Sequence, residues 1–144
     1  MSEYTFEFTE FRVDNFHTLR PIVSALLKGP SGSAQAPMLV DSGADVSMIE
    51  SRLAERLGLN LTSTNEVFGI SGGMKVSFAN VLAEIRHGDG HLPALTIPVW
   101  VPRRPGLPPL GLLGRNALFQ QYDITFQMRR GSRGRFTFSP AGRS

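Results

Sequence analysis

The chain has no cysteine among its 144 residues, which excludes disulfide bonds, thiolate metal sites and cysteine nucleophiles. No apolar run approaches the roughly 18 residues that a membrane-spanning helix requires. The residues after Met1 also lack the basic segment and apolar run of a secretory signal peptide. From these absences we expect a soluble protein that has no membrane partner, and we place it in the cytoplasm.

The composition is that of an ordinary globular protein, with 41% hydrophobic and 19% charged residues. Glycine and proline are frequent, at 15 and 10 residues, and both favour turns between short strands. We therefore expect a mainly β protein in which residues 1–144 form a single domain. A chain of this length buries only a modest core, so association with a second copy would add to its stability.

An acidic loop follows directly after an apolar run at residues 38–40. Its residues are Asp41, Ser42, Gly43, Ala44 and Asp45. A carboxylate at the end of a buried strand costs free energy unless it is paired, hydrogen-bonded or used in chemistry. Asp, Ser and Gly are also ordinary turn residues, so this loop alone does not identify a function.

Two further segments give the acidic loop a context. Residues 69–73 are rich in glycine and lead into a strand pattern, while residues 112–118 run Leu-Leu-Gly-Arg-Asn-Ala-Leu. In this order, the three segments resemble the active-site loop, the flap hairpin and the closing segment of the retropepsin-type aspartic proteases. The resemblance spans residues 37–126. It implies a retropepsin-like acid-protease half-barrel, mainly β, with a flap hairpin and one or two short helices.

This resemblance implies an aspartic endopeptidase. Enzymes of this class hydrolyse peptide bonds with two carboxyl groups about 3 Å apart, one acting as base toward water and the other as acid. The chain carries a single Asp-Ser-Gly, so the resemblance implies a homodimer in which each subunit contributes a catalytic Asp41. It implies neither a cofactor nor a metal.

Further roles follow from the same resemblance. Ser42, Gly43 and Ala44 would support the catalytic loop. Gly114 and Arg115 would be structural, with the Arg115 guanidinium held against the Asp45 carboxylate. Asp45 would also bind an extended peptide or protein substrate. The flap would contribute Gly69, Ile70, Ser71, Gly72 and Gly73 to the same task, and apolar candidates for the substrate pockets are Ile70, Val99, Trp100 and Leu110.

The main alternative is a catalytically weak or inactive module that keeps the fold for dimerisation or peptide binding. Residues 69–73 also fit the Gly-x-Ser-x-Gly motif of serine hydrolases, but that motif needs a helix after it and a strand pattern follows here. His87 and His91 flank Asp89 on a glycine-rich turn, where exposed histidines are more frequent than a metal site. The arginines after Met128 fit a solvated hairpin tip better than a nucleic-acid surface, so we expect no nucleic-acid partner.

Apolar periodicity predicts the strands. Alternation from Tyr4 to Val13 changes phase before Phe11 and predicts one strand with a bulge. Three hairpins are expected. They pair residues 22–27 with 38–40, 75–86 with 95–101, and 124–128 with 136–138.

Helical spacing occurs in two places. Ile49, Leu53 and Leu57 predict a short helix that ends at Gly58, with Glu50 and Glu55 facing outward. A second, brief helix is expected to begin at an Asn116 cap and to extend to Gln121.

Overall fold

The structure is a computed structural model that describes residues 2–61, 64–69, 72–129, 131 and 133–142. The predicted mainly β fold is confirmed. The elements in chain order are β1 (Tyr4–Glu7), β2 (Thr9–Val13), β3 (Phe16–Arg20), β4 (Ile22–Gly29), β5 (Gly32–Val40), β6 (Ser47–Met48), α1 (Ser51–Leu57), β7 (Thr64–Gly69), β8 (Gly72–His87), β9 (Gly90–His91), β10 (Leu95–Pro102), β11 (Gly111–Leu113), α2 (Leu118–Gln121), β12 (Tyr122–Gln127) and β13 (Arg135–Pro140).

The largest sheet runs in the order β10-β6-β11-β5-β4-β8-β7, with β9 beside β8. Because β10 also pairs with β8, the strand order from β10 round to β8 closes on itself. Closure leaves few exposed strand edges and surrounds the core from several sides. Side chains from β4, β5, β8 and β10 fill that core, among them the fully buried Leu27, Met38, Ile97 and Val99.

Two hairpins predicted in this sheet are present. β4 and β5 are antiparallel from Ile22 opposite Leu39 to Gly29 opposite Gly32. β8 and β10 are antiparallel from Leu95 opposite Ala83 to Pro102 opposite Val76. In both cases alternating side chains are buried, as the period of two in the sequence predicts.

Helix α1 follows the acidic loop as predicted, although it begins at Ser51 and not at Ile49. Ala54 and Leu57 are its buried residues. The helix ends at Gly58, which adopts the left-handed conformation with φ 71° and donates its N–H to the carbonyls of Ala54 and Glu55. No described helix has the length and apolar character needed to cross a membrane.

The last predicted hairpin forms a second, three-stranded sheet in the order β1-β13-β12. Phe126 lies opposite Phe136 and Ile124 opposite Phe138, with the arginine-rich connection between the two strands. Phe136 and Phe138 are fully buried, and Phe6 of β1 stacks on Phe136 with ring centroids 5.2 Å apart.

The single bulged strand predicted from Tyr4 to Val13 is wrong. β1 pairs with β13, whereas β2 pairs with β3 in a separate two-stranded ribbon. The phase change falls at Phe8, which is buried and contacts Phe136 with ring centroids 5.4 Å apart. Because Phe8 is buried against Phe136, β1 ends before it, and the residues after Phe8 form β2, which pairs with β3 and not with β13.

Candidate active site

Asp41 lies at the point where β5 ends against two neighbouring segments. Its backbone N–H donates to the Leu113 carbonyl at 2.9 Å, and the preceding N–H of Val40 donates to the Pro21 carbonyl at 2.8 Å. β11 runs parallel to the last residues of β5, with Leu113 opposite Val40. Asp41 is therefore fixed by backbone bonds on both sides, and its side chain is partly buried.

The acidic loop folds back on the Asp41 carboxylate. Gly43 donates its N–H to Asp41 Oδ1 at 2.9 Å, and Ala44 donates its N–H to the Asp41 carbonyl at 3.2 Å. Ser42 and Gly43 are exposed. This turn orients the carboxylate with a backbone donor and leaves the loop at the surface of the protein.

The predicted contact between Asp45 and Arg115 is present. The Nη2 of Arg115 donates to Asp45 Oδ1, while its Nη1 donates to the Ser42 carbonyl at 3.3 Å. Both side chains are more than half exposed, so the ion pair by itself adds little stability. Backbone bonds reinforce it, from Arg115 N to the Ala44 carbonyl at 2.8 Å and from Asn116 N to the Asp45 carbonyl at 3.0 Å.

Gly114 lets the closing segment approach the acidic loop. A Cβ at this position would overlap the backbone carbonyl of Val46, so no larger residue fits without moving the chain. The Gly114 N–H donates to Ser47 Oγ at 3.1 Å, and Ser47 is fully buried. Sequence reasoning missed Ser47. The sequence feature that could have indicated a role for Ser47 is a small hydroxyl residue between the apolar Val46 and Met48.

Helix α2 begins one residue later than predicted, because its N-cap is Ala117 and not Asn116. The Asn116 N–H is already donated to Asp45, and its carbonyl accepts from Leu118 N at 3.0 Å. The resulting tight turn holds Ala117 at φ 71°, a strained value for a residue other than glycine. Beside it lies an open depression of about 420 Å³, lined by Asp45, Arg115, Asn116, Phe119 and Gln120.

The strands of the expected flap are present. β7 and β8 are antiparallel, with Phe68 opposite Gly73 and Gly69 opposite Gly72. Ile70 and Ser71 lie outside the described residues. After the glycine-rich segment the chain continues as strand β8, where the Gly-x-Ser-x-Gly motif of serine hydrolases requires a helix.

A single acidic side chain fastens the loop at residues 103–110. Glu50 Oε1 accepts from Gly106 N at 3.0 Å, and Glu50 Oε2 accepts from Arg52 N at 2.9 Å and Leu53 N at 3.4 Å. The Gly106 N–H, followed by those of Arg52 and Leu53, lowers the pKa of Glu50. The outward orientation predicted for Glu50 is therefore wrong, because its carboxylate caps α1 and holds a loop distant in sequence.

The same loop is fixed at its start by Arg103. Its Nη1 donates to Ser77 Oγ at 3.1 Å, and its backbone N–H donates to the Lys75 carbonyl at 3.0 Å. Ser77 is fully buried and lies opposite Thr64, where β7 and β8 begin to pair. The loop thus bridges α1 and the root of the hairpin before it enters β11 beside Asp41.

The residues that the sequence suggested for the substrate pockets differ in how deeply they are buried. The prediction that Val99 lines a pocket is wrong, because this residue is fully buried in the core of the protein. Trp100 is partly buried and meets Phe78 edge-on, with ring centroids 6.0 Å apart. Leu110 is also partly buried, and Ile70 lies outside the described residues.

The two histidines considered for a metal have separate partners. His87 Nε2 donates to the Thr5 carbonyl at 3.0 Å, whereas His91 Nε2 lies 3.3 Å from Glu84 Oε2. Within the described part of the chain, no three His, Asp or Glu residues converge on a metal-binding position.

Comparisons with known proteins agree with this geometry. A family model described as "Aspartyl protease" matches residues 23–117. Among solved structures, a retropepsin-like aspartic protease from Rickettsia conorii is similar at 15% identity and a TM-score of 0.57, over 95% of this chain and 98% of that chain. A comparison with curated proteins gives no match. The predicted retropepsin-like fold is confirmed, and the chain belongs to the aspartyl protease family.

Proposed function

We propose that the protein is an aspartic endopeptidase that works as a homodimer. The observation that carries the proposal is the position of Asp41, which follows β5 in a loop at the protein surface, while the chain offers no second Asp-Ser-Gly. One carboxyl group cannot act as acid and base at once. A second copy, related by a two-fold axis, supplies the matching Asp41.

The proposed chemistry divides between the two Asp41 residues. The ionised carboxylate takes a proton from a water molecule, whose oxygen attacks the peptide carbonyl carbon, and the protonated carboxyl donates its proton to the carbonyl oxygen. The C–N bond of the tetrahedral intermediate then breaks as the amine nitrogen takes the proton that the first carboxyl group had removed from water, and the other carboxylate regains its proton from a hydroxyl group of the intermediate. No covalent intermediate forms. Gly43 donates its N–H to Asp41 Oδ1, which fixes the orientation of the carboxyl group in the loop.

The substrate in this proposal is an extended peptide held between the dyad and the flap. Residues 69–73 cover it, and backbone amides of the hairpin pair with its main chain. Asp45 contacts the substrate main chain while Arg115 braces the loop with Ser42, Gly43 and Ala44. Residues 1–144 act as one domain in each subunit, without a cofactor.

The proposal is tested by Asp41→Asn. The change removes the ionisable group but keeps its shape, so cleavage of a peptide library should fall by about a thousandfold or more. Sedimentation velocity should report the same dimer for the variant and the parent protein. Wild-type cleavage should be blocked by pepstatin or a retropepsin inhibitor.

Asp89→Asn is the matched control, because Asp89 is exposed on the turn between β8 and β9. It should retain full activity. Equal cleavage by Asp41→Asn and the wild type would remove Asp41 from the mechanism. Peptide binding by the wild type without any cleavage would favour the alternative, an inactive module that keeps the fold.

A further inference from the structure

The ribbon formed by β2 and β3, residues 9–20, is here called the arm. Among the described strands, β2 and β3 pair with each other and with no other strand. An isolated two-stranded hairpin is at best marginally stable in water. The arm therefore gains stability from any surface that packs against it.

Most of the arm has little cover from its own subunit. Leu19 packs against the core at the base, and Arg20 covers the ring of Phe11 at 5.1 Å from the centroid. Glu10 accepts from His17 at 2.7 Å and ties the two strands together. Near the turn, however, Phe16 is 71% exposed, the largest exposure among the large apolar side chains described. An exposed aromatic ring near the turn of a hairpin is a typical anchor for a protein partner.

One end of the arm lies beside the candidate catalytic residue. Its last residue is Arg20, and the next, Pro21, accepts the N–H of Val40 at 2.8 Å. Asp41 follows Val40 directly. Adjacent strands lie about 5 Å apart, so the root of the arm is about one strand away from Asp41.

The proposed dyad fixes where the partner must be. Two Asp41 carboxyl groups about 3 Å apart place the two-fold axis next to this residue. An element that leaves the subunit here borders the second copy from its first residues. Its five-residue strands extend about 17 Å further, enough to cross onto the partner.

We propose that the arm of each subunit packs on the second copy of this chain and clasps the dimer, with Phe16 as the anchor. The inference rests on the proposed homodimer. The receiving surface we assign is formed by Arg115, Phe119 and Gln120 in the open depression, which adjoins the acidic loop through Asp45. It offers an aromatic ring and a guanidinium to an incoming phenyl ring. Two-fold symmetry gives two copies of this contact, one from the arm of each subunit.

The first experiment replaces the anchor by Phe16→Ser. Because Phe16 is exposed, the subunit should fold normally, while the dimer dissociation constant measured by sedimentation velocity should rise by at least about tenfold. At protein concentrations that saturate the dimer, kcat and KM should equal those of the wild type. Met128→Ser is the matched control, because Met128 is 65% exposed outside the arm, and it should leave dimerisation unchanged.

The second experiment uses the absence of cysteine from the natural chain. Subunits carrying Phe16→Cys are mixed with subunits carrying Gln120→Cys under mild oxidation. The proposal expects a disulfide-linked heterodimer in this mixture and far less linkage in either variant alone.

The outcomes separate the arm from the proposed function. If Phe16→Ser dimerises like the wild type and the cysteine pair does not cross-link, the arm proposal is overturned, while Asp41-dependent cleavage still supports the protease. A raised KM with an unchanged dimer constant places the arm on the substrate and also overturns the proposal. A wild type that stays monomeric and inactive at every concentration overturns both.

Discussion

The carboxylate of Glu50 has two structural roles. It caps α1 through the N–H groups of Arg52 and Leu53, and it holds the loop at residues 103–110 through Gly106. These donors favour the ionised carboxylate, and this is why the pKa of Glu50 lies below its ordinary value. The loop leads into β11, so the charge of Glu50 helps to set the strand beside Asp41.

The stability of the protein should therefore depend on the ionisation of Glu50. The pKa is lower in the folded chain than in the unfolded chain, so the contribution is present above the unfolded value of 4.5 and is lost as pH falls through the folded value. In Glu50→Gln this part of the acid dependence should disappear, and stability at neutral pH should be lower. Thermal unfolding measured from neutral to acidic pH tests the prediction.

Glu55→Gln is the control for this prediction, because Glu55 is exposed on the same helix. Its stability curve should run parallel to that of the wild type. If the curve of Glu50→Gln is also parallel to the wild type down to the lowest pH, the carboxylate does not fasten the loop.

At the scale of elements, α1 depends on how it ends. The chain turns at Gly58 in the left-handed conformation, and the Leu57 carbonyl accepts from Ser31 N at 3.0 Å. The β4–β5 turn thus packs on the C-terminus of the helix. This contact joins the helix to the hairpin whose second strand leads directly to Asp41.

Gly58→Ala should destabilise the protein by about 1–3 kcal/mol, because the new Cβ meets both an unfavourable φ and the side chain of Ser31. Urea unfolding provides the measurement. Gly88→Ala isolates the backbone cost, since Gly88 has φ 57° and no atom within 4 Å of an added Cβ. An equal loss in the two variants would contradict the predicted overlap with Ser31.

For the whole molecule, the central consequence of the proposal is that half of the active site lies in each subunit. Exposure of Ser42 and Gly43 at the subunit surface fits this division. The fold supports Asp41 with backbone bonds, but among the residues that the structure describes it brings no second Asp-Ser-Gly aspartate beside it. Activity should therefore be a property of the pair of subunits.

Subunit mixing tests this division. If wild type and Asp41→Asn exchange freely, an equal mixture should have about one quarter of the activity of the same total concentration of wild type, because only wild-type pairs are active. Mixing with an inert unrelated protein should leave half. A mixture that keeps half of the activity after full exchange would show that each subunit works alone.

The sequence predicts the fold well where the signal is local. The order of the acidic loop, the glycine-rich hairpin and the Gly-Arg-Asn segment predicts the fold, and the contact of Asp45 with Arg115 is present. Alternation of apolar residues predicts three hairpins because a period of two depends only on which face of a strand is buried. Gly58 is predicted as a helix end for an equally local reason, its tolerance of positive φ.

Other features depend on partners distant in the chain. Phe8 is one of several alternating aromatic residues, and only its packing on Phe136 decides that β1 ends there. In the sequence, Glu50 is like any acidic residue near the start of a helix. Its hydrogen bond with the Gly106 N–H exists only in the folded chain. Val99 is apolar, as residues that line substrate pockets often are, yet closure of the sheet buries it.

The sequence by itself determined the family, the strand periodicity and the identity of the acidic loop, because these depend on residue types at short spacing. Only the tertiary structure decided that β2 and β3 form a separate ribbon with one end beside Asp41. It also decided that Glu50 and Arg103 both fasten the loop at residues 103–110, and that Ser47 accepts the N–H of Gly114. The physical reason is the same in each case. These contacts join residues far apart in the chain, and they form only when the whole core has packed and fixed the strand order.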